Sequence, residues 1–471
     1  MNLNNESIVR RVRDGQRGQS LVMIMLLLVA LLGAGALVID MGAVYNSYQE
    51  LQAATQAAAL AGGQALPDST ATAIATQYSA VGLNAHPNLL NVTMVSGYPQ
   101  LKCLTSTGVP CSAPANANAI VVKEQATVRT YFAKVFGVSS LTITATATAS
   151  APGPGGANGP FNVTMILDTT ASMNGNDPYC SNQTRINCAL AGVRTLLGTL
   201  SPCAAKLTSC GTASVGTATV GANVANPVDE VGLMVFPGLT TTSQVAYEYD
   251  CSNSPHPVIS KYTYPTLPVY QIVPLSSDYR ISDTAGSLNI NSNIVKAARG
   301  SPSCSAGLDV VGGVDTFYAG AITAAQAALI TAQSQRLSAT NVHTTNVLIL
   351  LSDGDANATS ADLVGYSNSQ ECHQAITAAQ NAANAGTWVY AIGYGAGSSG
   401  CSTDTSPPIT TCATMQQIAS SPNHIPDGSK FFSAGGAVAC PGARATTSLN
   451  QIFTAIAGDL TLARLIPNNT T

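Results

Sequence analysis

The sequence predicts an α/β protein: a doubly wound, mostly parallel sheet, preceded by an N-terminal transmembrane helix and a small α+β membrane-proximal domain. Three observations carry this. Ser20 to Ile39 is uncharged and almost wholly apolar, and about 20 such residues span a ~30 Å hydrocarbon core. Apolar runs at 163–167, 231–236, 346–351 and 388–392 alternate with helix-length segments, the pattern of a parallel sheet with crossover helices. Two of these runs stop abruptly in loops rich in carboxylates and hydroxyls, 168–172 and 352–355, at the strand ends where open parallel sheets bind ligands.

Taken in order, residues 1–18 form a polar tail with Arg10, Arg11, Arg13 and Arg17. The positive-inside rule puts that tail in the cytoplasm. Everything after Asp40 is then extracytoplasmic, on a single-pass anchor in the cytoplasmic membrane. A cleaved signal peptide fits less well: the apolar run is too long, and the nearest A-x-A, Ala59-Leu60-Ala61, lies far downstream. Met41, Val44, Tyr45, Tyr48, Leu51, Thr55 and Ala58 continue at helical spacing, with no Pro before Pro67. One helix over Ser20–Ala65 would be ~68 Å long. The small-residue run Ala53–Gly63 permits close packing on a sheet or a second helix, including self-association; a plain Ala-rich helix reads the same way.

The stretch RGQSLVMIMLLLVALLGAGALVIDMGAVYNSYQELQAATQAAALAGG resembles the amino-terminal segment of TadE/TadG-like proteins of the Flp (tight adherence) pilus system. The shared features are Arg-Gly-Gln, the apolar span, Asp-x-Gly, Leu-Gln and a closing Ala-Ala-Ala-Leu-Ala. Thr55-Gln56 departs from the usual Ala-Asp. Met23 stands where a pilin-like substrate of prepilin peptidase would carry Glu, which speaks against cleavage after Gly18 and against a pilin role.

Residues 67–150 read as the small α+β domain, with strands at 92–95, 119–128 and 141–149 and a helical turn at 131–136. FAKVFGVSSLTITATATAS again resembles the close of the TadE/TadG-like membrane-proximal region. Residues 151–160, APGPGGANGP, are a linker by composition.

The second domain is expected over 161–471. Its first strand ends in Asp168-Thr169-Thr170-Ala171-Ser172, one carboxylate and two hydroxyls spaced by two. Hard oxygens so placed suit Mg²⁺ or another divalent cation; a strand followed by a Ser/Thr turn with Asp168 as a helix cap is the plainer reading. Thr316 precedes a helix at 321–335, and Asp353 follows the strand 346–351. These three segments resemble the metal-ion-dependent adhesion site of von Willebrand factor A domains, with Thr170 in place of a Ser. The resemblance implies a cation held by Asp168, Thr170, Ser172, Thr316 and Asp353, able to take an acidic side chain of a protein partner as its last ligand. Further helices are expected at 185–200, 374–385 and 449–465, and an edge strand at 270–275. Asp355 and Asp315 read as solvated turn residues.

Only 9% of residues are charged and the net charge is −4, so there is no basic footprint for nucleic acid. Twelve cysteines without a C-x-x-C pair indicate disulfides in an oxidising compartment. Neighbour pairing is the cheapest arrangement: 103/111, 180/188, 203/210 and 401/412, leaving 251/304 and 372/440. GxGxxG at 395–400 is followed by Cys401 and Pro407-Pro408, and a dinucleotide site needs a helix there. The five histidines are scattered, and no nucleophile–base pair stands out. The chain therefore reads as a non-enzymatic, membrane-anchored pilus-assembly component; a surface adhesin unconnected with pili is the alternative.

Overall fold

The computed structural model describes residues 5–66, 70–81, 88–104, 113, 117–152, 160–203, 228–249, 268–282, 285–302, 307–310, 316–352, 355–358, 365–395, 400–422, 424–434, 439–444, 448–461 and 463–468, with the side chains of 5–20, 340 and 464 excluded. The chain divides into two compact units, one of residues 1–104, 111–151 and 463–471, the other of 105–110 and 152–462.

The first unit is built on α1 (Asn5–Gln64), a single helix of 60 residues. Its apolar stretch, 21–39, is exposed, and Asp40 is the first buried residue among those described. Beyond it the helix packs on an antiparallel sheet. After α2 (Ala71–Gln77) come β1 (Leu90–Met94), β2 (Gln100–Lys102), β3 (Ala119–Arg129) and β4 (Ser140–Ser150). β1 and β2 both pair with β3, and β3 pairs with β4 without a slip from Ala119↔Ser150 to Arg129↔Ser140. The T-x-T-x-T-x-T alternation of β4 explains this: Ile143, Ala145, Ala147 and Ala149 turn inward. The Ala-rich part of α1 meets that face. Ala58 and Ala59 are buried, and a Cβ at Gly62 would stand 2.8 Å from Ala75 Cβ and Ile120 Cδ1. The small-residue face is thus occupied within the chain by a sheet, one of the two packings its composition allows.

The second unit opens with β5 (Phe161–Asp168), all eight residues buried. A two-residue ribbon, β6 (Asn176–Asp177) and β7 (Gln183–Thr184), leads into α3 (Arg185–Thr199). Then follow β8 (Glu230–Leu239), β9 (Val269–Ser276), α4 (Asn293–Ala297), α5 (Ala319–Thr340) and β10 (Thr345–Ser352). The last part holds α6 (Glu371–Asn384), β11 (Trp388–Tyr394), the hairpin β12 (Gly400–Thr405) and β13 (Pro408–Thr410), α7 (Thr411–Ile418), β14 (Phe431–Ala434) and α8 (Leu449–Thr461). Six strands form a mixed sheet in the order β14-β11-β10-β5-β8-β9. The first five run parallel, and β9 pairs antiparallel to β8 at one edge.

Strand alternation divides the apolar side chains into two cores. Val163, Met165 and Leu167 of β5 join Leu190, Val193 of α3 and Phe453, Ile456 of α8. Ile166 of β5 and Leu348, Leu350 of β10 join Ile322, Leu329 of α5, Ile376 of α6 and Met415 of α7. β5 and β10 are buried on both faces, which is why they read as unbroken apolar runs.

The chain then returns to the first sheet: β15 (Arg464–Ile466) pairs with β4, Arg464 opposite Ser150. This corrects two expectations. The closing helix stops at Thr461 rather than continuing to 465, and residues 463–471 belong to the first unit rather than to one domain running from 161 to the end.

The cysteines also differ from neighbour pairing. Cys180–Cys188 forms as expected. Cys372 bonds Cys401, and Cys412 bonds Cys440, in place of 401/412 and 372/440. Cys401 lies on β12 at the base of the β12–β13 hairpin and bonds the first turn of α6, while Cys412 sits in the first turn of α7 and bonds Cys440 after β14. Cys103 and Cys203 are disulfide-bonded as well; Cys111, Cys210, Cys251 and Cys304 lie outside the described residues.

Candidate cation site at the carboxyl edge of the sheet

β5 delivers Asp168 to the carboxyl edge, where it pairs in register with Phe236 of β8. The next residue ties down the turn: Thr169 donates both its amide and its hydroxyl to Phe236 O, at 2.9 and 3.0 Å. The chain then enters a short 3-10 turn, Ala171–Asn174. This folds the loop back over the strand end. Thr170 donates its amide to Asp168 Oδ1 at 2.9 Å and its hydroxyl to the same oxygen at 2.6 Å. Thr170 Oγ1 and Ser172 Oγ are 2.9 Å apart. Asp168 and Thr170 are buried, and Ser172 is exposed at the mouth.

The plainer reading made Asp168 a helix cap. The 3-10 turn begins after Thr170 instead. The Asp168 carboxylate takes the Thr170 amide as in an Asx turn. It also collects hydroxyls on both oxygens, since Ser352, the last residue of β10, donates Oγ to Asp168 Oδ2 at 3.0 Å. Ser352 carries no local signal of this role, although it stands beside Asp353 in the hydroxyl- and acid-rich stretch 352–355.

Thr316 is buried three residues before α5. Its amide donates to Asn357 Oδ1 at 3.3 Å and its carbonyl accepts from Asn357 N at 2.9 Å. Thr316 is therefore docked on the segment that follows β10. Among the described residues no hydrogen bond joins its hydroxyl to the loop of Asp168, Thr170 and Ser172. Asp353 and Asp315 lie outside the described residues. Asp355, expected as a solvated turn, is half-buried and accepts Ser402 N at 3.2 Å, bracing the loop after β10 against β12.

The edge is acidic. Tyr318 is fully buried, and its hydroxyl is held well above its usual range, first by burial and then by the negative field of Asp355, Asp404, Asp168 and Glu371. Asp404, on β12, caps the start of α6 and accepts Cys372 N and His373 N at 3.0 and 3.1 Å. Burial would raise its pKa, but these amides, the His373 ring and the Thr403 hydroxyl together hold it below the usual carboxylate value. Cys372, Cys401 and Asp404 also converge, but both sulfurs are consumed in a disulfide, so no thiolate is offered to a metal.

The oxygens of the 168–172 loop suit a small hard cation. Separations of 2.6 Å (Asp168 Oδ1 to Thr170 Oγ1) and 2.9 Å (Thr170 Oγ1 to Ser172 Oγ) compare with the ~2.9 Å edge of an octahedron built on ~2.0–2.1 Å bonds.

Comparison with known proteins places the other end of the chain. Residues 18–65 match the Flp pilus-assembly TadE/G-like family, Tad. The Tad segment takes in the whole exposed apolar stretch of α1 and the part that packs on the first sheet. Among the described residues α1 is also the one helix long and apolar enough to cross a membrane, and the two findings together point to single-pass anchoring. No curated protein matches the chain. Solved structures give distant likenesses. The pilus adhesin SpaC from Lactobacillus rhamnosus GG is 11% identical, with a TM-score of 0.34 over 75% of this chain and 36% of its own. The pilus adhesin RrgA from Streptococcus pneumoniae is 10% identical, TM-score 0.30, over 82% and 52%. The ArnB paralog VWA2 from Sulfolobus acidocaldarius is 11% identical, TM-score 0.25, over 80% and 56%. The chain thus spans about a third to a half of these proteins, and likenesses at this level carry no weight beyond the Tad segment.

Proposed function

We infer that this chain is a membrane-anchored, extracytoplasmic component of Flp/Tad-type pilus assembly that binds protein partners through a divalent-cation adhesion site. The observation that carries the reading is one chain holding both a Tad segment and a hydroxyl–carboxylate cluster at the carboxyl edge of a buried sheet. On this reading the second unit is a doubly wound, von Willebrand A-like domain. Five parallel strands with helices from two separate cores support it.

Asp168, Thr170 and Ser172 hold the cation, with Thr316 and Asp353 completing the set from the two neighbouring loops. Bound there, Mg²⁺ or another divalent cation supplies an electrophilic position for an acidic side chain of the partner. Asp168 contributes the charge and orients the hydroxyls. Buried Thr170 is held in place by its two bonds to Asp168. Exposed Ser172 faces the partner. The function is recognition and not turnover.

The test is a pair of measurements on Asp168→Ala. Mg²⁺ should raise the melting temperature of the purified full chain, EDTA should reverse it, and the variant should show neither effect. A strain carrying Asp168→Ala should lose pili or adherence. Wild-type pili and adherence in a strain whose protein no longer binds cation would sink the proposal.

A further inference from the structure

α1 is not the only part of the first unit suited to lipid. The turn between β3 and β4 exposes Tyr131, Phe132, Val135, Phe136, Val138 and Leu141 within eleven residues. Phe136 is 84% exposed, Val135 77% and Tyr131 60%. A continuous apolar patch of this kind on a soluble surface marks an interaction site.

The turn is held rigidly. The β3–β4 ladder runs unbroken up to Arg129↔Ser140. Thr130 N donates to Ser139 O at 3.2 Å, Gly137 N to Lys134 O at 3.0 Å and Val138 N to Ala133 O at 3.2 Å. Gly137 closes the turn at φ +88°, where a side chain would be strained. The backbone polar groups of the turn are therefore largely satisfied internally, a condition for approaching hydrocarbon.

Its height along α1 is set by one carboxylate. Asp40 accepts Tyr131 N at 2.7 Å, Phe132 N at 3.1 Å and Ala133 N at 2.6 Å. Asp40 comes directly after the apolar stretch, which at ~1.5 Å per residue covers ~30 Å, one hydrocarbon thickness. The Asp-x-Gly that closes the span in sequence thus pins the aromatic turn where the helix leaves the bilayer. Aromatic side chains favour that boundary, and exposed Arg129 and Lys134 can reach phosphates while their stems stay among apolar groups.

We propose that residues 131–141 form a second membrane contact, an interfacial anchor seated at the headgroup–acyl boundary of the leaflet from which α1 emerges. The proposal rests on α1 being the membrane span. Its occupant is lipid because the patch continues the exposed apolar surface of α1 and is tied to it at Asp40. With two contacts, the first unit cannot swivel freely about the helix axis.

Tryptophan placement tests this in the full chain reconstituted into phosphatidylethanolamine–phosphatidylglycerol vesicles, with and without brominated acyl chains. Phe136→Trp reports the turn, Leu28→Trp reports the span, and wild type supplies the emission of its single Trp388. Both positions are exposed, so neither change disturbs a core. The expected result is that the added emission of Phe136→Trp is blue-shifted and lost in brominated vesicles, as is that of Leu28→Trp. Quenching of Leu28→Trp alone would leave the span standing and overturn the interfacial anchor. A blue-shifted, unquenched Phe136→Trp would overturn it in favour of a protein partner. Quenching of neither would overturn both readings.

Discussion

Ser352 Oγ donates to Asp168 Oδ2 at 3.0 Å, joining the ends of β10 and β5. Those strands are neighbours in register up to Leu351↔Leu167, so the bond fixes the carboxylate on which the proposed cation site depends. Ser352→Ala should keep the fold and weaken Mg²⁺ binding by about 10–100-fold, the usual cost of losing a group that orients a ligand. Calorimetric titration of the full chain checks it; unchanged affinity would mean that Asp168 does not hold the ion in this orientation.

Glu248 gives the second unit a pH-dependent stability. It is buried, and burial pushes its pKa up from 4.5 to about 7, with Asp309 N donating to Oε2 at 3.1 Å as a partial offset. Between those two values the folded state holds a proton that the unfolded chain has released. Stability should therefore fall as pH rises from about 4.5 to 7, by up to about 3 kcal/mol. Glu248→Gln should flatten that slope and raise the melting temperature at pH 8; denaturation at a series of pH values reads both.

Two glycines on α3 should respond with opposite signs. A Cβ at Gly192 would collide with the Phe453 ring of α8, whereas nothing lies within 4 Å of one at Gly198. Gly192→Ala should destabilise by about 1–3 kcal/mol through overpacking. Gly198→Ala should stabilise by about 0.5–1 kcal/mol through helix propensity. Thermal melts of the two variants separate packing from propensity on one element.

The Cys372–Cys401 bond closes a separation of 29 residues around α6 and β11. Replacing both cysteines by Ala should cost about 3–4 kcal/mol by loop-closure entropy. It should also free the β12 hairpin from α6, seen as faster amide exchange at 400–405.

Much of this fold was legible because its central strands are buried on both sides. β5, β8, β10 and β11 read directly as apolar runs, and Asp168 was visible as an abrupt polar end to one of them. β14 was not, since Phe431–Ala434 is four residues long and is specified by pairing with Ala391–Tyr394 of β11, a non-local preference. β15 carries no local signal either: Arg464–Ile466 is a strand because Thr148–Ser150 lies beside it. Nearest-neighbour reasoning failed at Cys401 and Cys412 because their partners, Cys372 and Cys440, are brought up by α6 and by the segment after β14, a non-local packing that sequence separation does not show. Ser352 was missed because its hydroxyl matters only through the register of β10 on β5.

The pairing of β15 with β4 makes the main segment of the second unit, 152–462, an insertion whose two ends leave from adjacent strands, Ser150 opposite Arg464. A protease that nicks the chain once within residues 151–160 would therefore not shed the second unit at once. Its amino-terminal fragment would stay clamped to the remainder through three residue pairs, so the nicked protein should migrate as one species on a native gel and as two after denaturation. Release from the membrane would then be a matter of strand dissociation, with a lifetime, and not of the cut itself.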